Sequence, residues 1–138
     1  MGGTAPISLL IAAALAQPAQ AAPIEGYWKN PIGSAIILIA PCGERLCGKV
    51  TWASARGRRE VAKNTSNVVG TTVLSGVKPA HHGRWTGSLY IPDDNIRVSA
   101  HLELLSQKEM KLTGCALAGI ICRSQVWTRA DGPSLAED

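Results

Sequence analysis

From Ile96 to Leu104 the chain alternates without a break. Ile96, Val98, Ala100, Leu102 and Leu104 are apolar, and Arg97, Ser99, His101 and Glu103 between them are polar. Successive side chains of a strand point to opposite faces, so this period of two describes a strand with one face buried and one in water. Such a strand needs neighbours along its edges and a second apolar layer against its buried face. The remaining residues have to supply both.

They do so in short pieces. Arg84–Ile91 sets Trp85, Gly87, Leu89 and Ile91 on one face and joins the alternating strand through Pro92-Asp93-Asp94-Asn95, residue types that favour turns. Glu109–Ala116 and Ile120–Arg129 read as a further hairpin turning near Ala118-Gly119. Upstream, Glu25–Lys29 is followed by the turn Asn30-Pro31-Ile32-Gly33. The six apolar residues Ala35–Ala40, three of them isoleucine, predict a strand buried on both faces that Pro41 closes. Gly43-Glu44-Arg45 turns the chain back into Leu46–Trp52, and Thr71–Ser75 is a β-branched strand segment. Residues 53–69 are polar, basic and aperiodic, and read as a long loop that acts as a functional flap or a mobile connection. Residues 76–83 read as a second loop, and no stretch carries a helical period of adequate length. Strands spaced by roughly 8–14 residues with turns between them predict an all-β fold, an antiparallel up-and-down β-barrel of about eight strands.

An even number of up-and-down strands returns the last one beside the first. That places Gly26 and Trp28 next to Trp127 and Arg129, and predicts that Arg129 covers the Trp28 indole where the barrel closes. Trp127 shares Arg129's face, since residues two apart in a strand point the same way.

Residues 1–22 lack Lys, Arg, Asp and Glu, Ile7–Leu15 is a short apolar core, and Ala19-Gln20-Ala21 fits a small-x-small cleavage pattern. This is the layout of a secretory signal peptide over residues 1–21, which leaves residues 22–138 as one barrel domain with its core in 25–129. The expected location is periplasmic or secreted. In an exported chain the even set Cys42, Cys47, Cys115 and Cys122 reads as disulfides. Three pairings are possible. Cys42–Cys47 and Cys115–Cys122 are favoured because each brackets a hairpin turn, with the paired residues expected directly opposite one another.

The net charge of +4 is spread along the chain apart from Arg56, Arg58, Arg59 and Lys63, and aromatics make up 4%. A nucleic-acid interface clusters its charge and interleaves it with aromatics, so none is expected. His81-His82, read as part of an extended loop, point to opposite sides, and His101 lies on the polar face of its strand. Asp93-Asp94 belong to a turn, and the cysteine spacings suit neither zinc nor a redox Cys-x-x-Cys. No catalytic constellation, metal site or cofactor is expected.

Gly26-x-Trp28 with Arg129 near the chain end resembles lipocalin-like barrels. More specifically, the order Gly26/Trp28, Cys42, Leu46-Cys47-Gly48, Gly70 with Val73-Leu74, Trp85/Gly87 and Trp127-Thr128-Arg129 resembles the exported bacterial family called domain of unknown function 2147. Pro92-Asp93-Asp94-Asn95 followed by Ile96 departs from the Asp-Pro-x-x-Gly turn frequent there. The resemblance implies a small envelope protein and supplies no activity. The functional expectation is non-enzymatic binding of a small apolar or amphipathic ligand, with Trp85, Leu89, Val98, Leu102 and Leu104 lining the interior. The alternative is a structural or interaction protein with a filled core and peripheral envelope contact.

Overall fold

The computed structural model describes residues 2–3, 21–64 and 67–135; the expected signal peptide lies almost wholly outside them. Eight antiparallel strands close into a barrel in sequence order: β1 (Gly26–Lys29), β2 (Ala35–Cys42), β3 (Arg45–Ala53), β4 (Thr72–Pro79), β5 (Arg84–Ile91), β6 (Ile96–Leu104), β7 (Glu109–Ala116) and β8 (Ile121–Arg129). β8 returns to β1 through Trp28 opposite Arg129 and Lys29 opposite Thr128. The architecture is consistent with a lipocalin-like description.

Three elements differ from the sequence expectation. Residues 53–69 are not all loop, because Ala55–Val61 form a helix, α1. Ser54 caps it, its Oγ accepting from Gly57 N at 3.0 Å. A seven-residue helix is too short to show a period, and it is held by docking: Val61 and Val68 are buried in the core. The second difference is β2, which runs through Pro41 to Cys42. Short β1 pairs only with Ile36–Ile39, so beyond that point β2 is an edge, where a proline's missing N–H costs nothing. The third is β4, which continues past a register shift to Pro79 and replaces much of the expected 76–83 loop. Its end pairs with β5 after its partner β3 has run out at Val77. His81–Gly83 then make a single 3₁₀ turn rather than an extended segment.

The end of the barrel where β1 begins is sealed. Ile24 and Trp28 are fully buried there, and Trp28 Nε1 donates to Ile24 O at 2.8 Å. The Arg129 guanidinium lies 4.0 Å from the centre of the Trp28 ring. It donates from Nη1 to Glu25 O at 2.6 Å, from Nη2 to Pro23 O at 3.0 Å, and from Nε to Gln107 O at 3.1 Å. Burial lowers its pKa from the usual guanidinium value, and it remains a cation. Gly26 makes the approach possible. Its φ is +123°, and a Cβ there would stand 2.9 Å from Arg129 Nη1. Trp85, Leu102, Met110 and Trp127 pack in the same core.

Both cysteine pairs are within disulfide reach, Cys42–Cys47 with Cα atoms 5.5 Å apart and Cys115–Cys122 at 4.1 Å. Cys115 and Cys122 face each other directly. Cys42 does not face Cys47: it opposes Arg45, while Cys47 opposes Ala40. The two-residue turn at Gly43-Glu44 sets that offset, so this bond runs diagonally across the ladder.

Candidate functional site: a cavity at the open end

The other end of the barrel carries the β1–β2, β5–β6 and β7–β8 turns and α1, and there the interior is not filled. A cavity of about 700 Å³ occupies this half, within the ~300–1,000 Å³ usual for small-molecule sites. Ile37, Val50, Leu74, Leu112 and Trp127 line it from inward-facing strand positions, and Leu89 and Val98 line it on the opposing hairpin. Asn30, Glu60, Asp93, Asp94, Arg123 and Gln125 also line it and supply its polar groups.

Local hydrogen bonds hold the rim. Asn30 Oδ1 accepts from Ser34 N at 2.8 Å and Ala35 N at 3.0 Å, fixing the β1–β2 turn. Ser54 N donates to Ser34 O at 2.8 Å, tying the start of α1 to that turn. Gly57 packs so closely that a Cβ would lie 2.8 Å from Ser34 O. Beyond the helix, Asn64 Nδ2 donates to Pro92 O at 2.6 Å and Asp93 O at 2.9 Å. The basic segment is therefore a strap, anchored on the β1–β2 turn at one end and the β5–β6 turn at the other, with Val61 turned inward.

The wall has a gap beside β8. β1 ends at Lys29, opposite Thr128, so β8 from Ile121 to Trp127 has no partner from β1. Ile121, Arg123 and Gln125 consequently line the cavity and stay exposed to solvent. Trp127, at the cavity's inner end, is buried and donates from Nε1 to Gln125 Oε1 at 3.2 Å.

Of the five residues expected to line the interior, Leu89 and Val98 border the cavity. Trp85, Leu102 and Leu104 do not. They point inward but sit nearer the sealed end, where Trp85 opposes Leu102 and Leu104 opposes Met110. Of the four closure residues, Gly26, Trp28 and Arg129 lie together at the sealed end, while Trp127 also reaches the cavity. Asp93 and Asp94 border the cavity mouth as well as forming a turn. His101 is exposed, and the His81 and His82 rings are 6.3 Å apart on the 3₁₀ turn. Among the described residues no group of three or more His, Cys, Asp or Glu is placed to share a metal ion.

The profile of a family described as an uncharacterized protein conserved in bacteria (DUF2147) matches residues 26–129. The chain belongs to the DUF2147 family. The match begins at the glycine under the Arg129 guanidinium and ends at Arg129 itself, so it spans every strand of the barrel. Comparison of this DUF2147 chain with curated proteins and with solved structures finds no match. Two cysteine pairs in a bacterial family are consistent with an oxidising, exported location.

Proposed function

We propose that this DUF2147 protein binds a small apolar or amphipathic molecule in the open half of its barrel, outside the cytoplasm. The supporting observation is the cavity: one end of the barrel is sealed by Trp28 and Arg129, while the other keeps about 700 Å³ unfilled. A core evolved only for stability closes such space, because each unfilled volume forfeits packing and transfer energy. The apolar inner walls suit a hydrocarbon body, and Arg123, Gln125 and Asn30 suit a polar head. Export is supported by the two cysteine pairs at disulfide distance.

The test uses a fluorescent long-chain fatty acid as probe. Binding in the cavity gives saturable energy transfer from Trp127 and an adduct retained in the native mass spectrum. Val98→Trp, which intrudes on the space bordered by Val98 and Leu89, weakens both, whereas His101→Ala on the outer face changes neither. Absence of saturable transfer and of any adduct in the wild-type protein would overturn the proposal.

A further inference from the structure

The large apolar side chains left exposed on this barrel are not scattered. Of the eight among the described residues, Ile32, Val69, Ile96, Leu117, Ile120 and Ile121 lie on turns or strand ends around the open mouth. Leu105 lies at the sealed end and Val126 on the outer side of β8. Ile120 is 82% exposed, Leu117 67% and Ile32 65%, so the tips project rather than shelter beneath neighbours. Leu117 does so against its own backbone preference. Its φ is +52°, a left-handed conformation that a branched side chain disfavours and that Asn or Gly adopts readily. Neither packing nor backbone geometry calls for a leucine there.

The same end is positively charged. Arg58, Arg59 and Lys63 stand exposed on and just after α1, and Arg97 and Arg123 flank the neighbouring turns. Arg56 is paired with Glu60, and among the described residues Asp93 and Asp94 are the other carboxylates that line the mouth. An apolar ring set among excess cations is complementary to an anionic lipid surface: the tips enter the headgroup region and the guanidinium and ammonium groups stay at its phosphates. It is not complementary to itself, since a second copy placed mouth to mouth would set like charges against each other.

We propose that the open rim docks on an anionic membrane, with the mouth facing the lipid. Ile32, Ile96 and Ile121 border the cavity as well as the rim, so the docking ring shares apolar side chains with the interior. Docking does not require that the cavity be filled, and its test reads no cavity ligand.

The experiment is flotation of the mature protein with vesicles of phosphatidylcholine alone or mixed with phosphatidylglycerol. Binding is expected only to the mixed vesicles, and it falls as salt rises. Arg58→Glu and Arg59→Glu each weaken it by about fivefold or more. Leu117→Asn together with Ile120→Ser weakens it by about tenfold or more. Leu117→Asn relieves the left-handed backbone, so this variant keeps wild-type thermal stability and loss of binding cannot be attributed to misfolding. Leu105→Ser at the sealed end leaves binding unchanged. Equal binding to both vesicle types, no binding to either, or a dimer in sedimentation that Ile120→Ser dissolves would each overturn the proposal.

Discussion

Replacing Arg129 by Met removes the group that holds the two ends of the chain together, and its cost can be worked from the contacts. The cation over the Trp28 indole is 4.0 Å from the ring centre and contributes about 1 kcal/mol in a partly desolvated setting. The bond to Glu25 O at 2.6 Å is part-buried; losing a charged donor there costs about 1.5 kcal/mol. The bonds to Pro23 O and Gln107 O are exposed, so water replaces the donor and each contributes about 0.5 kcal/mol or less. The sum is about 3 kcal/mol, which for a domain of this size lowers Tm by roughly 10–15 °C. Urea unfolding followed by circular dichroism measures it. Arg129→Lys should recover under half the loss, because an ammonium lacks the planar fork that reaches three carbonyls at once. In a double-mutant cycle with Trp28→Leu, a coupling of about 1 kcal/mol is expected. A loss below about 1 kcal/mol for Arg129→Met, or additive effects in the cycle, would refute the closure argument.

Gly26→Ala places a methyl at a φ of +123° against Arg129 Nη1, and should cost about 2–3 kcal/mol by the same unfolding assay. Gly57→Ala drives a Cβ to 2.8 Å from Ser34 O; it should free the α1 strap, seen as faster amide exchange over 55–64 with a small change in Tm. Peptide mapping without reductant should find Cys42–Cys47 and Cys115–Cys122. Replacing both members of the latter pair by Ala should lower unfolding free energy by about 2 kcal/mol, and a 42–115 cross-link would contradict the register.

The barrel was legible because its signals are periodic. Ile96–Leu104 announces a half-buried strand, and the even strand count places Arg129 beside Trp28. Period two tells which face a residue takes but not how high it sits, so Trp85, Leu89, Val98, Leu102 and Leu104 look equivalent in sequence. Only the register with β6 and β7 separates Leu89 and Val98, at the cavity, from Leu102 and Leu104 near the sealed end. Arg123 and Gln125 were hidden by their polarity. They share Trp127's face, and counting back from it by twos would have put both inside. α1 left one trace, Ser54 as a capping residue. Its inward side chain, Val61, is decided by tertiary contacts that no local pattern records.

Every strand pair but one joins neighbours in sequence; the exception is β1 with β8. Six of the sequence-adjacent pairings close short turns and can form as soon as each turn exists, and β3 with β4 closes over the longer α1 strap. The last pairing brings together residues about a hundred positions apart; from an unstructured chain that closure would cost on the order of 4 kcal/mol, and the seven pairings formed first shorten the loop that two residue pairs and one guanidinium then close. During synthesis the barrel cannot close until Arg129 has emerged. The fold therefore reaches completion only with its final residues, and any truncation before Arg129 leaves an open meander with two unpaired edges.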